Sequence, residues 1–277
     1  MYNTQSINER LRNFARDNNI PNVERARVIL CLERVIARLM QDKYLCSKLI
    51  FGGGFVIYKM LHSLRFTVDV DAVISGVDKK ELITKINETL SIDLDDGFWF
   101  GEPRVKELEI SSGYGGIRFK IPYKAGLPPP KEKELLKLRS VQLDISLGAN
   151  LEEVAKKEIM LSTLNIFSGV EWSIYPMEFI CAEKIHALYS KGDLNTRGKD
   201  IYDLALLLPK VEKTKLKKAL AKTFFNRKDS LSNIYESIVE IDTSYLCDNY
   251  LKLFPDSSKE DFQEKWELLL ERIKVLD

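Results

Sequence analysis

Residues 49–74, LIFGGGFVIYKMLHSLRFTVDVDAVI, contain the most informative pattern of this chain. The end of this stretch, Val68 to Ile74, is rich in β-branched and apolar residues and predicts a buried strand. Within this strand Asp69 and Asp71 stand two positions apart, so both carboxylates project from the same face. Neighbouring carboxylates repel each other and are costly to desolvate unless a cation compensates them. The pair therefore predicts a site for a divalent cation that prefers oxygen ligands, with Mg²⁺ as the expected ion.

Three consecutive glycines, Gly52 to Gly54, precede the acidic strand and are separated from it by one predicted short helix. A glycine turn lets backbone N–H groups approach a triphosphate, and the N-terminus of the following helix adds positive potential. A third acid, Asp144, lies in the middle of a later predicted strand, Ser140 to Leu147, where it is equally compatible with facing solvent. Together these features indicate a nucleotidyl-transfer site whose acids hold metal ions that bridge a triphosphate.

Composition narrows the class of protein. The 277 residues are 45% hydrophobic and 30% charged, which is enough for a substantial core. The sequence has neither a long apolar run nor an apolar N-terminal segment, so we expect a cytoplasmic protein without membrane contact. Its four cysteines lack CxxC spacing and predict reduced core thiols. With only two histidines, a His-rich metal site and a Ser-His-Asp or Cys-His mechanism are both disfavoured.

Hydrophobic patterning predicts an α+β (α/β) protein with a mixed sheet and a helical C-terminal half. We assign residues 1–47 to an N-terminal helical segment, 48–150 to the core and 151–277 to a helical C-terminal domain. The expected elements are a helix over 22–47, a strand over 48–51, a helix over 55–62, a helix over 78–90 capped by Asp78, a hairpin of strands 104–112 and 115–122, a mobile Pro-rich loop over 122–139, and helices over 177–189, 198–208, 213–225, 230–239, 244–253 and 259–275.

The formal net charge is only +1, so the molecule as a whole has no strong attraction for a polyanion. Basic residues nevertheless cluster between positions 210 and 228. Such a cluster is either a solvated helix face or a set of phosphate contacts for a polynucleotide. Its members are Lys210, Lys213, Lys215, Lys217, Lys218, Lys222, Arg227 and Lys228.

Four motifs between residues 48 and 208 resemble, in order and separation, those of the AbiEii-type nucleotidyltransferase toxins of bacterial toxin–antitoxin and phage-defence systems. They are Gly53-Gly54, the segment Arg65 to Asp71, the segment Ala182 to Leu188 with Glu-Lys, and the segment Arg197 to Leu204 with Arg-x-x-Asp-x-x-Asp-Leu. One departure is clear. The Ser or Thr that follows the two glycines in that family is Gly54 or Phe55 in this chain, depending on the alignment of the turn, so backbone donors would have to replace a hydroxyl contact to phosphate.

The resemblance implies a polymerase β-like nucleotidyltransferase core and a role for each matching residue. Lys184 would contact the triphosphate or stabilise the transition state, although a lysine on this helix could also be solvated. Arg65 could bind phosphate or pair with Asp69, Asp203 could merely orient Lys184, and His186 is expected in the core. The implied assignments are Asp69, Asp71, Lys184 and Asp200 as catalytic residues, Gly53, Gly54, Arg65, Thr67 and Lys184 as nucleotide contacts, and Asp69, Asp71 and Asp144 as ligands of Mg²⁺.

The resemblance also implies a substrate, an acceptor and a partner. The substrate would be a nucleoside triphosphate, and the acceptor an RNA, with the 3′ end of tRNA as the expected target. Modification would block translation until a cognate antitoxin intervenes. Two alternatives stay open: nucleotidylation of a protein hydroxyl, and a catalytically silent module that binds nucleotide or RNA.

Overall fold

A computed structural model describes residues 4–18, 20, 22–63, 65–108, 115–125, 129–148 and 154–276. The chain forms two compact units, Met1–Ile174 and Tyr175–Asp277. The elements of the first unit are α1 (Thr4–Asp17), α2 (Val23–Leu39), α3 (Lys43–Lys48), β1 (Ile50–Gly52), α4 (Gly53–Leu61), β2 (Asp69–Ile74), α5 (Lys79–Leu90), β3 (Phe98–Phe100), β4 (Arg104–Leu108), β5 (Gly116–Ala125), α6 (Glu132–Leu135), β6 (Arg139–Leu147), β7 (Lys156–Met160) and β8 (Val170–Ile174).

The strands of the first unit form one mixed sheet in the order β3-β5-β6-β2-β1-β8-β7, with β4 also paired to β5. Strand β2 runs parallel to β6 and antiparallel to β1, while β1 runs parallel to β8. The expected mixed sheet is therefore confirmed. The pairing register places Asp71 opposite Gly52 on one side and opposite Asp144 on the other.

Strand β2 is buried on one face and polar at the start of the other. Val70, Ala72 and Ile74 are almost fully buried and point to one side. Asp69 and Asp71 lie on the opposite side and are partly accessible. The alternation therefore keeps the two carboxylates out of the apolar core and at the surface of the sheet.

Buried ion pairs on α2 hold the elements that carry the site. Glu33 on α2 accepts a hydrogen bond from Lys59 Nζ on α4 at 2.7 Å and one from the backbone N–H of Thr163 at 2.9 Å. Farther along α2, Arg38 donates to both carboxylate oxygens of Asp96, at 2.7 and 2.9 Å. The contact of Glu33 with Lys59 ties α4 to α2, and the contact of Arg38 with Asp96 ties α2 to the segment before β3.

The single helix expected over 22–47 was wrong, because the chain breaks between Leu39 and Lys43. The Asp42 side chain accepts a hydrogen bond from the backbone N–H of Leu45 at 2.8 Å and so caps a new helix, α3. This helix extends through Lys48, and the strand that was expected over 48–51 begins at Ile50. The glycine turn is also shorter than expected, since Gly53 and Gly54 already belong to α4.

Several local expectations were confirmed. Asp78 caps α5 by accepting hydrogen bonds from the N–H groups of Lys80 and Glu81. Strands β4 and β5 pair antiparallel, while the turn of that hairpin lies outside the described residues. By contrast, the mobile loop expected over 122–139 was wrong in part, because the described residues of this segment form the end of β5, the short helix α6 and the start of β6.

The sequence analysis missed strands β3, β7 and β8. Because β8 pairs with β1 and β7 pairs with β8, the sheet extends well past residue 150, where the core was expected to end. In strand β7 the two lysines and Ile159 are exposed and only Met160 is buried, so its sequence lacks the regular alternation of a half-buried strand. None of the described helices is long and apolar enough to cross a membrane.

The second unit is helical. Its helices are α7 (Met177–Lys191), α8 (Gly198–Leu207), α9 (Lys213–Arg227), α10 (Ile234–Val239), α11 (Ser244–Leu253) and α12 (Lys259–Lys274), which confirms the expected helical C-terminal half. Helices α8 and α11 meet at Gly198, where a Cβ atom would lie only 2.4 Å from the backbone nitrogen of Tyr250. Glycine at this position therefore permits the close backbone contact of the two helices.

We expect Gly198→Ala to lower the free energy of unfolding by about 1–3 kcal/mol, because the added methyl group would force α8 and α11 apart. Urea unfolding followed by circular dichroism at 222 nm measures this change. Gly115→Ala is the matched control, since a Cβ atom at Gly115 has no neighbour within 4 Å. Equal stability of the two variants would contradict the proposed packing constraint.

Candidate active site

The start of α4 lies directly against the acidic strand. Gly53 has a φ of +67°, a left-handed conformation that favours glycine. A Cβ atom at Gly53 would lie 2.0 Å from Oδ2 of Asp71, so the carboxylate occupies the space that any other side chain would need. Position 53 therefore requires glycine for two reasons: the positive φ angle and the close approach of the Asp71 side chain.

The side chain of Arg65 packs against the second glycine, Gly54. A Cβ atom at Gly54 would lie 2.1 Å from Nη2 of Arg65, so the guanidinium packs against the first turn of α4. Arg65 is buried, and its backbone N–H donates to Ser63 Oγ at 3.2 Å. The structure therefore places a fixed positive charge beside the helix N-terminus, where backbone N–H groups already favour an anion.

Thr67 orients the first acid of the pair. Its hydroxyl donates to Oδ1 of Asp69 at 2.6 Å, and the threonine itself is buried. The structure thus brings together Gly53, Gly54, Arg65, Thr67, Asp69 and Asp71, the residues named for this part of the site from sequence.

Asp144 lies next to Asp71 in the sheet register, but both its carboxylate oxygens are hydrogen-bonded to an arginine. Arg118 on β5 donates from Nε to Oδ1 of Asp144 at 2.9 Å and from Nη2 to Oδ2 at 2.7 Å. Gln142 Nε2 donates to the same Oδ2 at 3.2 Å. The hydrogen bond to Asp144 raises the pKa of Arg118 above its ordinary value, and the charges of Asp69 and Asp71 raise it further.

The donor set of the site fits a divalent cation at the acid pair. Asp69 and Asp71 offer carboxylate oxygens from one face of β2, which is the chemistry that Mg²⁺ prefers. Asp144 fits less well, since both its oxygens face Arg118. Within the part of the chain that the structure describes, no group of three or more His, Cys, Asp or Glu residues is arranged to hold a metal ion.

The helical unit contains a separate, buried charge cluster. Lys184 Nζ on α7 lies 2.7 Å from Asp200 Oδ1 and 2.7 Å from Asp203 Oδ2, both on α8. The Lys184 side chain is 8% exposed and the two aspartates are 0% exposed, so the solvated position that the sequence allowed for this lysine is excluded. Arg197 Nε donates to the second oxygen of Asp200 at 2.6 Å, and its side chain is 42% exposed.

This cluster explains why an acid is stable without water. Burial alone would raise the pKa of Asp200, but the charges of Lys184 and Arg197 outweigh it and hold that pKa well below the ordinary range. Asp203 supplies the second negative charge that fixes Lys184, as the sequence analysis allowed. His186 lies in the core, with Nε2 at 2.6 Å from Oδ2 of Asp229.

The basic cluster of the second unit is centred on α9. Lys213, Lys215, Lys217 and Lys218 are exposed and form what we call the lysine surface. Lys215 pairs with Glu212 at 2.9 Å, whereas Arg227 pairs with Glu183 of α7 at 2.7 Å and therefore belongs to the packing of α7 on α9. On the same helix Phe225 is 81% exposed.

Sequence reasoning missed Arg118 and assigned no role to Arg197. A signal for Arg118 was present, since Arg118 and Lys120 alternate with buried Ile117, Phe119 and Ile121 along β5. The alternation indicates a polar face, but only the strand register shows that this face continues through Asp144 and Asp71. Arg197 gave no comparable signal, because its contact depends on the turn that precedes α8.

A mixed sheet that carries paired aspartates beside a helix started by glycine defines a protein of the nucleotidyltransferase class. The family model of the nucleotidyl transferase AbiEii toxin, type IV toxin–antitoxin system, matches residues 34–276. The chain therefore belongs to this family, as the motifs indicated. Among curated proteins, none matches this chain.

A solved structure agrees with this fold. The crystal structure of a candidate nucleotidyltransferase from H. pylori has a TM-score of 0.52 and 15% identity, with 88% of this chain and 93% of that chain covered. The structure of JHP933 from Helicobacter pylori has a TM-score of 0.44 and 18% identity, with the same coverage of 88% and 93%. The first of these supports the nucleotidyltransferase fold and nothing finer.

We expect Asp200→Asn to make stability less dependent on pH. The folded-state pKa of Asp200 is lowered, so the ionised carboxylate adds to the free energy of unfolding above the unfolded pKa of about 3.9. This added stability is lost as the pH falls from there towards the folded-state pKa. At pH 7 the variant should lose about 3–5 kcal/mol, because Lys184 loses a buried counter-ion. Between pH 5 and pH 3 it should lose less stability than the wild type.

Urea unfolding at pH 7, 5, 4 and 3 measures both effects. Asp256→Asn is the control, because Asp256 is exposed. Parallel pH profiles for the wild type and Asp200→Asn would contradict the role of the buried cluster.

Proposed function

We propose that this chain transfers a nucleotide from a nucleoside triphosphate to a hydroxyl of an RNA acceptor, with the 3′ end of tRNA as the expected target. Such transfer would block translation until a cognate antitoxin intervenes. Membership of a nucleotidyltransferase toxin family supports the activity class. The observation that carries the proposal is the contact of Asp71 with Gly53, which sets a carboxylate beside a helix N-terminus.

Each residue near that contact has a role in binding the triphosphate. The N–H groups of the first turn of α4 and the guanidinium of Arg65 would bind phosphate oxygens. Asp69 and Asp71 would hold Mg²⁺, and Thr67 keeps Asp69 in place by its hydrogen bond. When bound, Mg²⁺ would neutralise the phosphate charge and favour loss of a proton from the attacking hydroxyl.

The proposed reaction is an in-line displacement. The acceptor oxygen forms a bond to the α-phosphorus, the bond from that phosphorus to the β-phosphate oxygen breaks, and pyrophosphate leaves. Because little covalent chemistry is needed from the protein, positioning and charge stabilisation account for most of the catalysis. The fixed groups at Gly53, Gly54 and Arg65 are suited to that task.

In the helical unit we assign Lys184 and Asp200 to the transfer reaction, as their motifs imply. Their contacts support different roles. Asp200 is fully buried between Lys184 and Arg197, so it would act by positioning these two cations. A lysine held by Asp200 and Asp203 has a fixed direction, which suits a group that stabilises phosphate charge.

Asp71→Asn should abolish transfer, since it removes one of two carboxylates that would hold Mg²⁺. The free energy of unfolding should change by no more than about 1–2 kcal/mol, because the side chain is partly accessible and keeps its shape. Incubation with each labelled triphosphate, Mg²⁺ and total tRNA shows whether label enters RNA. The control Glu102→Gln removes an exposed charge elsewhere and should label as the wild type does.

Label in protein rather than RNA would replace the proposed acceptor by a protein hydroxyl. Label in neither would support a silent binding module. Full activity of Asp71→Asn would exclude the assignment of the acid pair.

The lysine surface is the proposed contact for the RNA backbone. Its exposed ammonium groups can neutralise phosphates, and the exposed ring of Phe225 on the same helix can stack on a base. The lysines near the Pro-rich segment, Lys131, Lys133 and Lys137, with Arg139, are a second candidate for the same task.

Replacing Lys215, Lys217 and Lys218 together by Glu should weaken RNA labelling steeply. If all three contact phosphate, the plot of log affinity against log salt concentration should become less steep, its negative slope shrinking in magnitude by about 2, at about 0.7 for each phosphate of a single strand. Binding of nucleotide with Mg²⁺ should persist. The control replaces Lys43, Lys79 and Lys80 by Glu, which changes charge equally at exposed positions of the first unit. Equal labelling by the two variants would make the lysine surface a solvated helix face.

A further inference from the structure

One row of the sheet brings three acids and one arginine side by side. The register runs from Asp71 on β2 to Asp144 on β6 and on to Arg118 on β5. Directly opposite residues of paired strands project from the same face, and so does Asp69, two positions before Asp71. The row therefore combines three negative charges with one guanidinium that cannot lose its proton.

The guanidinium of Arg118 makes its hydrogen bonds to Asp144 from one edge only. Its Nε and Nη2 groups take both oxygens of Asp144 in a fork, which is the strongest geometry of a carboxylate–arginine pair. Nη1 donates to no protein acceptor among the described residues, and the Arg118 side chain is 34% exposed. One edge of the guanidinium thus remains available to a ligand at the acid pair.

We infer that Arg118 is a built-in cation of the active site, positioned by Asp144 to contact the phosphates of the nucleotide, and that Asp144 is not a ligand of the metal ion. The inference deepens the proposed function and rests on it, because it concerns the same acid pair. It leaves Asp69 and Asp71 as the acidic ligands, because both oxygens of Asp144 accept hydrogen bonds from Arg118.

The alternative role for Asp144 makes an opposite prediction about metal binding. If Asp144 is a third ligand, Asp144→Asn should lower the affinity of the protein for the metal ion, as Asp71→Asn should. If Asp144 is only the partner of Arg118, Asp144→Asn should leave that affinity unchanged. Removal of Arg118 would even strengthen metal binding, because a nearby positive charge disappears and the Asp144 carboxylate is released.

The test measures binding of Mn²⁺ alone by isothermal titration calorimetry, without nucleotide or turnover. Asp144→Asn should keep the wild-type affinity within about threefold, Arg118→Gln should bind at least about tenfold more tightly, and Asp71→Asn should lose binding. A second titration uses a non-hydrolysable triphosphate analogue without metal. Here both Asp144→Asn and Arg118→Gln should bind about tenfold more weakly than the wild type, and Arg118→Lys should not restore binding, since lysine lacks the fork.

Loss of Mn²⁺ binding by Asp144→Asn to the level of Asp71→Asn would overturn the inference while leaving the proposed function intact. If the wild type binds neither Mn²⁺ nor the analogue, the proposed function and the inference both fall. Circular dichroism shows whether each variant is folded. Arg118→Lys keeps the charge and offers a second variant should Arg118→Gln unfold, and in that case weak analogue binding with unchanged Mn²⁺ affinity would support the inference.

Discussion

Repulsion between Asp69 and Asp71 is the constraint on which the rest of the first unit depends. Two carboxylates on one strand face cannot be covered by apolar side chains, so that face must meet donors or cations. The neighbouring elements supply them in different ways: Thr67 donates to Asp69, the first residue of α4 lies against Asp71, and Arg118 binds the adjacent Asp144. On the opposite face of the same strand, Val70, Ala72 and Ile74 are buried in the apolar core.

In the helical unit the charges are reversed, because a buried cation is surrounded by acids. There one lysine is buried, and two aspartates on the next helix surround it. The acid pair of the first unit is partly accessible, whereas Lys184, Asp200 and Asp203 of the second unit are almost completely removed from solvent. An accessible charge can exchange its partner for a ligand, while a buried one mainly fixes the geometry of its neighbours. The buried cluster therefore holds α7 against α8.

The sequence predicted local features well and non-local ones poorly. Helices α7, α8, α9, α11 and α12 and the cap at Asp78 follow from short-range periodicity and capping chemistry, and the motifs indicated the family. The break at Asp42 was missed because a capping acid was hidden in a continuous apolar pattern. The partner of Asp144 could not be predicted, since it depends on the register between β5 and β6.

Strand β1 ends at the glycines of the site and is paired on one side with β8, where Phe51 lies opposite Ile174. During synthesis β1 therefore remains an edge strand until residue 174 has emerged, even though β2 and α4 are long complete. Closing such a long loop is slow and entropically costly. A nascent chain would accordingly carry the whole acidic motif before it could hold that motif in a finished sheet, which delays activity to a late stage of folding.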